Sequence, residues 1–386
     1  MATNNNNKVL NVPPLRFPEF SGEWRYLPLN EYLYENKERN KTGFFNKTSV
    51  LSVSGDFGVI NQIQLLGRSF AGKSVLDYHV VRHGNIIYTK SPLKDFPYGI
   101  VKMNEGADGI VSTLYAVYNV RINASGKFIE SYFALPRRAN KYFKPIVRIG
   151  AKHDMKISNT EAIANIVCFP QYVEQQKIAK FLALIGTRIS TQNKIIEDLK
   201  KLKSAIYQEL FSNLQGEEKS LSELAEITKG QQVNGNQLSE NGKYYVMNGG
   251  IMPSGYYDDY NTEAGTISIS EGGNSCGYVQ YNKSKFWSGG HCYTLHIKPT
   301  ARISTLFLFH FLKWKEEDIM ALRIGSGLPN IQKKDLYKVR IIVPTFDKQQ
   351  QLIALLSTLQ MKIEYEEMYT INLDKQKLHL LLQMFI

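Results

Sequence analysis

The stretch from Pro170 to Phe211 occurs twice in this chain, and the second copy lies 174 positions after the first. The first copy opens with P-Q-Y-V-E-Q-Q-K-I-A-K-F-L, and the second opens with P-T-F-D-K-Q-Q-Q-L-I-A-L-L. The repeat predicts that the chain has two structurally equivalent halves. The residues that are identical at this offset include Pro170 and Pro344, Gln175 and Gln349, Gln176 and Gln350, Ile189 and Ile363, Leu199 and Leu373, Lys203 and Lys377, and Phe211 and Phe385.

Both copies carry a heptad pattern, which predicts a long α-helix in each. Steps of four and three from Ile178 reach apolar residues at eight of ten positions, and the same steps from Leu352 do so at seven of ten. The polar residues fall at matching positions in the two copies, namely Gln192 with Glu366 and Lys203 with Lys377. The predicted apolar contacts of a helix pair are Ile178, Leu182, Ile185, Ile189, Leu199, Leu352, Leu356, Leu359, Ile363 and Leu373.

The two predicted helices are the natural packing partners of each other. At about 1.5 Å per residue, about 40 helical residues make a rod about 60 Å long. The apolar face formed by the heptad positions runs along this whole length, and no neighbouring segment of sequence would cover it. An antiparallel pair with a central two-fold axis would join residues whose numbers total about 562, so that Ile189 lies near Leu373 and Leu199 near Ile363. The alternative is two ordinary core helices in separate domains.

Composition favours a soluble protein with a polyanionic partner. Among 386 residues there are 47 Lys and Arg against 35 Asp and Glu, and a basic balance of this kind most often indicates nucleic acid. Three cysteines without metal-like spacing indicate a reducing compartment. The polar N-terminus does not resemble a signal peptide, and no apolar run reaches the ~18 residues that a membrane span needs, so we expect a cytoplasmic protein without a membrane partner.

Outside the two helices, strand-like runs alternate with turns, which predicts a mixed α/β (α+β) fold in the order domain, helix, domain, helix. The segment 29–33, which predicts the start of a short helix, resembles the segment 220–224, so the repeat extends into the first residues of both domains. We also expect a helix from Leu306 to Met320. The predicted boundaries are a disordered tail at 1–14, a first globular domain at 15–169, a central helix at 170–215, a second globular domain at 216–343 and a C-terminal helix at 344–386. The strand candidates are 49–53, 78–81, 86–88, 113–118, 244–247, 266–269 and 292–297.

The string G-R-S-F-A-G-K-S at 67–74 matches the P-loop expression. That motif holds phosphate where a strand precedes it and a helix follows it. Residues 75–81 are too short for such a helix, and no apolar strand ending in Asp would supply a magnesium ligand. We therefore interpret the string as a basic loop that can contact a DNA phosphate.

Signals for metal or methyl-transfer chemistry are weak. The segment N-V-P-P at 11–14 only partly matches the N-P-P-aromatic signature of amino-methyltransferases, and no glycine-rich loop for S-adenosylmethionine follows a clear strand. Cys276, His291 and Cys292 are too few to make a zinc site by themselves.

Two further patterns are ambiguous or structural. His79 and His83 lie in strand-like sequence, where a spacing of four does not bring side chains together. The glycine-rich loops 271–277 and 288–291 fit tight turns and backbone that approaches a ligand equally well.

Short strings along the chain carry a family resemblance. They are R-F-P-E-F-S-G-E-W from Arg16, P-Y-G-I-V-K from Pro97, G-I-V-S-T-L-Y-A-V-Y from Gly109, Y-V-M-N-G-G-I-M-P-S-G-Y from Tyr245, I-S-I-S-E-G-G-N-S-C-G-Y-V from Ile267 and G-S-G-L-P-N-I from Gly325. Together with the two proline-led helix starts and the domain order, they make the whole chain resemble the specificity (S) subunits of type I restriction–modification systems.

The resemblance implies a non-catalytic protein with two target recognition domains, each reading one half of a split, asymmetric site in double-stranded DNA. The antiparallel helices would set the spacer and dock two modification (methyltransferase) subunits, and restriction (motor–nuclease) subunits would complete the assembly. S-adenosylmethionine, ATP and Mg are then expected on partner subunits, with no cofactor on this chain. By family analogy alone, the expected partner-binding positions are Glu174, Gln175, Lys348 and Gln349.

Amide and basic side chains from polar loops are the expected DNA contacts, because such groups read base edges and hold phosphates. Reading elements on one face of DNA are spaced by about one helical turn, ~34 Å, which a stiff helix pair could fix. The two domains differ in sequence, so the half-sites should differ. The candidate contacts are Arg68, Lys73, Ser74, Lys90 and Lys102 in the first domain, and Lys229, Gln231, Asn248, Asn274, Arg323 and Asn330 in the second.

Two other classes of function stay open at this point. A stand-alone DNA methyltransferase or nuclease would bind S-adenosylmethionine or ATP by itself. A coiled-coil adaptor for proteins alone would show no salt-dependent DNA binding.

Overall fold

The computed structural model describes residues 11–72, 74–149, 155–325, 327 and 329–386. They divide into two compact units, one formed by the chain up to Thr191 together with Thr370–Ile386, and the other by Gln192–Tyr369. Of the expected N-terminal tail, residues 1–10 lie outside the described residues. Residues 11–14 are described, and the Trp24 N–H donates to the Asn11 carbonyl at 2.7 Å.

The first unit contains twelve strands among its described residues, together with three short helices and the beginning of a long one. The strands are β1 Arg25–Pro28, β2 Leu33–Glu35, β3 Leu51–Ser54, β4 Gly58–Asn61, β5 His79–Val81, β6 Ile86–Tyr88, β7 Val101–Met103, β8 Gly109–Val111, β9 Ala116–Val120, β10 Arg148–Ile149, β11 Met155–Lys156 and β12 Ile166–Phe169. The helices are α1 Gln62–Leu66, α2 Gly126–Phe133, α3 Pro136–Phe143 and α4 Tyr172–Ser212, and α4 continues into the second unit.

An antiparallel sheet in the order β2-β9-β6-β7 forms the centre of the first unit. Helices α2 and α3 cover it with aromatic side chains, and the Tyr88 ring of β6 stacks on Phe143 of α3 at 4.4 Å between centroids. Strand β1 pairs with β12, and β12 leads directly into α4. The remaining two-stranded sheets are β3-β4, β5-β8 and β10-β11.

The second unit has nine strands among its described residues. These strands are β13 Glu217–Ser220, β14 Ala225–Lys229, β15 Tyr244–Met247, β16 Gly255–Tyr257, β17 Thr266–Ser270, β18 Val279–Asn282, β19 Trp287–Ser288, β20 Cys292–Ile297 and β21 Arg340–Val343. The helices are α5 Leu221–Leu224, α6 Thr305–Trp314, α7 Glu316–Ala321, α8 Lys333–Leu336 and α9 Phe346–Gln383, whose last part belongs to the first unit.

The strand order repeats from one unit to the other. The sheet β14-β20-β17-β18 has the same order, first, last, middle and next, as β2-β9-β6-β7. The pair β13-β21 corresponds to β1-β12, and in both units the second strand of the pair leads through a proline into a long helix. The internal repeat therefore extends from the helices to the domains. The second unit differs in having the sheet β16-β15-β19.

Within each unit, α4 and α9 run antiparallel. In the second unit Lys203 donates to Gln360 at 2.6 Å, Lys200 pairs with Glu367 at 2.6 Å, and Gln192 donates to Glu366. These residue numbers total between 558 and 567, close to the total of about 562 expected for the antiparallel pair. None of the twenty heptad positions is exposed. The predicted antiparallel helix pair is confirmed.

Two buried glutamines fasten the starts of the long helices to their domains. Gln175 donates to the Pro170 carbonyl at 2.9 Å and accepts from the Ser125 N–H, at the N-cap of α2, at 3.0 Å. Gln349 donates to the Pro344 and Arg302 carbonyls at 3.1 and 3.0 Å and accepts from the Ser304 N–H, at the N-cap of α6, at 2.8 Å. The same residue type therefore makes the same contact in both units.

Several predictions of local structure need correction. The helix expected from Leu306 to Met320 is two helices, because the backbone at Lys315 leaves the helical region (φ −87°, ψ 10°). The strand expected at 113–118 begins only at Ala116, since residues 112–115 form a turn. Helices α2 and α3 were not expected. In the part of the chain that the structure describes, no helix combines the length and the apolar character required to cross a bilayer.

Candidate nucleic-acid interface

Five loops of the second unit meet at one end of the sheet β14-β20-β17. They are the loops that follow β14, β15 and β17, the loop 288–291 before β20, and the loop that contains residues 323–325 and 329–331. Backbone hydrogen bonds tie them together: Gln231 N–H donates to Ser288 O, Gly273 N–H to Pro329 O, and Gly289 N–H to Met247 O, at 2.8 to 3.0 Å. We call this end of the sheet the loop surface.

Glycine is required where these loops approach one another. A Cβ on Gly230 would lie 2.3 Å from the Gly289 carbonyl oxygen, and one on Gly289 would lie 2.6 Å from the Asn248 side chain. Gly273 and Gly277 adopt positive φ angles of 78° and 92°, which favour glycine. The glycine-rich strings therefore serve both as tight turns and as sites of close backbone approach, here to other loops of the same chain.

Glu271, the residue after β17, lies at the centre of the loop surface, and its side chain is 12% exposed. Its Oε1 accepts from Lys229 Nζ at 2.6 Å and from Tyr293 Oη at 3.1 Å. Its N–H donates to the His291 carbonyl, and its own carbonyl accepts from the Ile331 N–H, both at 2.9 Å. Burial, assisted by this carboxylate, raises the pKa of Tyr293 to about 12, so the phenol stays protonated. Glu271 therefore connects four of the five loops.

The structure brings together all six candidate DNA contacts of the second domain on this loop surface. The exposed ones are Lys229, Gln231, Asn274, Arg323 and Asn330. Asn248 is half-buried, and its Oδ1 accepts from the His291 N–H at 3.0 Å. The surface thus presents amide, ammonium and guanidinium donors from a fixed backbone, the groups that contact base edges and phosphates.

The sequence also held two residues of this surface that were not singled out as DNA contacts. They are Glu271 and His291, whose side chain is 64% exposed and whose Nδ1 lies 3.6 Å from Glu271 Oε2. Both stand beside Gly-Gly pairs, in the loops where close backbone approach was one of the two interpretations. Their position beside these glycine pairs was the sequence signal that could have identified them.

In the first unit the candidate residues are not gathered at one place. Arg68 is exposed and lies over the Phe70 ring at 4.6 Å, and Ser74 is exposed in the same loop. Lys90 is half-buried and donates to Asn159 Oδ1, and burial lowers its pKa. Lys102 lies 3.6 Å from the Glu130 carboxylate of α2. Lys73 lies outside the described residues.

The 67–74 string does not have the local structure that a P-loop needs. Helix α1 precedes it, with Gly67 in the left-handed conformation at its C-terminus, and strand β5 follows it. A phosphate-binding loop requires the opposite order, strand and then helix.

The cysteine and histidine side chains do not have the protonation state or the grouping of metal ligands. Burial raises the pKa of Cys292 to about 11, which leaves a neutral thiol and not the thiolate that binds metals. Among the described residues, no cluster of three or more His, Cys, Asp or Glu side chains could hold a metal ion. His79 is a core residue whose pKa burial lowers to about 4.

The candidate helix-pair and partner-binding residues lie as follows. Of the helix-pair residues, Ile178, Leu182, Leu352, Leu356, Ile363 and Leu373 are buried, whereas Ile185, Ile189, Leu199 and Leu359 are half-buried. Glu174 is buried and forms an ion pair with Arg16 at 2.7 Å. Gln175 and Gln349 are fully buried in the contacts described above, whereas Lys348 is exposed. A partner that docks here would therefore reach Lys348 and not the two glutamines.

The part of the chain that carries this surface is similar to a known domain family. Residues 214–373 match the type I restriction modification DNA specificity domain. A Mycoplasma pneumoniae protein named as a type I specificity subunit is 34% identical over 165 residues, 42% of this chain and 44% of that protein. A Mycoplasma genitalium protein named likewise is 32% identical over 145 residues, 38% of each chain. This chain thus aligns with less than half the length of these curated relatives.

Two solved structures share the fold over almost the whole chain. The crystal structure of a type I restriction–modification S subunit from M. genitalium covers 97% of this chain and 99% of its own, with a TM-score of 0.66 and 18% identity. A chain from a structure of type I R-M complex assembly covers 93% of this chain and 96% of its own, with a TM-score of 0.56 and 15% identity. At these identities the structures show the fold alone. With the family match, they confirm the resemblance to type I specificity subunits.

Proposed function

We propose that this chain, which carries a type I DNA specificity domain and has the fold of type I S subunits, recognises a bipartite sequence in double-stranded DNA for a restriction–modification complex. The observation that carries the proposal is the loop surface of the second unit. Its donors are grouped at one end of a sheet by backbone contacts between loops, so they need little reorganisation before binding. The net charge of +12 favours the DNA backbone as a partner.

The internal repeat supports reading in two halves. Both units have the same strand order and the same helix anchor, whereas their loops differ in sequence and in the residues that they expose. Two equivalent scaffolds with different loops would read two different half-sites. In this proposal the antiparallel helices set the spacer between the half-sites, because α4 and α9 are continuous helices of 41 and 38 residues.

The partners and cofactors in this proposal follow the resemblance. Two modification subunits would dock on the helices, with exposed Lys348 among the positions available to them, and restriction subunits would join them. S-adenosylmethionine, ATP and Mg would bind those subunits, and this chain would contribute recognition and no catalytic step. The buried, neutral thiols and the non-P-loop geometry of 67–74 are consistent with that division of roles.

The test is to express the full chain with its modification subunit and to map methylated adenines across the genome. We expect one bipartite motif with unequal halves that disappears without this chain. Replacing exposed Asn274 by Ala should alter one half of the motif, whereas Asn213→Ala, an exposed amide after the end of α4, should leave both halves unchanged. Methylation by the isolated chain would indicate an enzyme. DNA affinity that does not fall with salt would indicate a protein adaptor. Either result would overturn the proposal.

A further inference from the structure

We propose that Lys229 reads the edge of a guanine in the second half-site and that Glu271 is the positioning residue that holds it there. This inference rests on the proposed function. It assigns a role in sequence discrimination to a lysine that charge alone would assign to the phosphate backbone.

Glu271 is itself held rigidly. Its side chain is largely buried, its backbone bonds to His291 and Ile331, and its Oε1 receives the Tyr293 hydroxyl. Lys229 Nζ donates to the same oxygen at 2.6 Å, while the Lys229 side chain is 53% exposed. The ammonium is therefore fixed at the rim and does not move freely on its four-carbon chain.

The pairing also fixes what Lys229 offers to DNA. An ammonium has three N–H donors. With one of them on Glu271, two remain for a ligand at the exposed side. The adjacent carboxylate neutralises most of the positive charge, so the pair gains little from releasing counterions at a phosphate. A fixed donor pair with little net charge matches O6 and N7 of guanine, two neighbouring acceptors in the major groove.

The other side of the same carboxylate faces a second rim group. Glu271 Oε2 is buried and has no hydrogen-bond partner among the described residues, and His291 Nδ1 lies 3.6 Å away. Glu271 thus lies between Lys229 and His291, so its removal disturbs the rim on both sides of one carboxylate. This position explains why a glutamate is placed at the centre of a surface that would bind a polyanion.

The test starts from the target sequence selected by the full-length chain out of random duplexes. Lys229→Met is then measured against duplexes with each single base pair replaced. We expect discrimination at one guanine of the second half-site to fall about ten- to a hundredfold, with other positions unchanged. The slope of log K against log salt should change by less than about 0.3. A slope reduced by about 0.9 with discrimination intact would make Lys229 a phosphate contact and overturn the proposal.

Glu271→Gln tests the positioning role separately. It removes the charge but keeps an oxygen acceptor, so we expect weaker discrimination at the same guanine and a salt slope steeper by up to about 0.9, because the Lys229 charge is uncovered. Discrimination and slope equal to those of the wild-type chain would refute the role. Thermal unfolding shows whether the variant is folded.

The matched control is Lys283→Met. Lys283 is exposed and pairs with Glu364 at 2.9 Å, but it follows β18 at the opposite end of the same sheet. It should change neither discrimination nor slope. If the wild-type chain selects no sequence, the proposed function itself fails. If it selects one and Lys229→Met still discriminates at every position, only this inference fails.

Discussion

Replacing Gln349 by Ala should destabilise the start of α9 and helix α6 much more than replacing its neighbour Gln350 by Ala. The Gln349 side chain is completely buried and makes three hydrogen bonds, two as donor to carbonyls and one as acceptor from the Ser304 N–H. Gln350 is exposed. The two adjacent glutamines are therefore a matched pair within a single turn of helix.

The magnitude follows from those contacts. Each hydrogen bond contributes about 0.5–1.5 kcal/mol net, so losing three lowers the free energy of unfolding by about 2–4 kcal/mol. Gln175 makes two such bonds in the first unit, so Gln175→Ala should cost about 1–3 kcal/mol. Gln350→Ala should stay within about 0.5 kcal/mol, as surface substitutions usually do.

Amide hydrogen exchange measured by mass spectrometry is the suitable assay, because the chain has two units and its unfolding need not be two-state. We expect Gln349→Ala to speed exchange in α6 and the first turns of α9, and Gln175→Ala to speed it in α2. Equal exchange in the Gln349 and Gln350 variants would refute the anchoring role. Faster exchange spread evenly over both units would show that the effect is not local.

Three further predictions concern the second unit. Gly230→Ala places a Cβ against backbone carbonyls and should abolish sequence-specific DNA binding, whereas Gly235→Ala, which meets no atom within 4 Å, should bind normally in the same gel-shift titration. Burial lowers the pKa of His310 to about 4, so the unfolded chain binds this proton more readily and stability should fall as pH drops from about 6.5 to 4, by at most about 3 kcal/mol for this residue. Urea unfolding of His310→Phe should lose this contribution, whereas the contribution of His79, whose pKa is also lowered to about 4, should remain. Hydrogen bonds from the Lys362 side chain and then from Gln192 lower the pKa of Glu366. The stabilisation by this carboxylate is present above its unfolded pKa and is lost as pH falls through the lower folded value. In urea unfolding followed by circular dichroism, wild type should therefore lose its advantage over Glu366→Gln only in that acidic range.

The long helices could be predicted because their burial is periodic in sequence. The pattern predicted the helices and their inner faces, since heptad spacing and tertiary packing require the same residues to be apolar, whereas the antiparallel direction was an implication of the family resemblance. It also contained the anchor residues. One more step of three before Ile178 and Leu352 reaches Gln175 and Gln349, which places both on the inner face. Their identity in both copies indicated importance, but analogy assigned them to a partner and not to the interior.

For the loop surface, the sequence predicted the separate polar and glycine-rich segments but not that they meet. The amide and basic residues near 229–231, 248, 274 and 323–330 are far apart in sequence, and they meet because β14, β17 and β20 end together. Strand order is not encoded in local periodicity, so the convergence was not visible. The centre of the surface, Glu271, was missed because a buried carboxylate acts through its contacts and not through a motif.

Comparison of equivalent strands explains why two similar units would read different sequences. In the second unit Lys229 is the last residue of β14, the edge strand of the sheet, and Glu271 is the residue after β17, the third strand in spatial order. In the first unit the charges are exchanged: Glu35 ends β2 and Lys90 follows β6, and Asn159 joins them by accepting from Lys90 and donating to Glu35 at 2.7 Å. Lys90 is half-buried there, whereas its counterpart in the couple, Lys229, is exposed. The equivalent sheets thus carry a Lys–carboxylate pair in both units but expose the lysine in only one, so under the proposed function side chains at strand ends would contribute to a difference between the two half-sites.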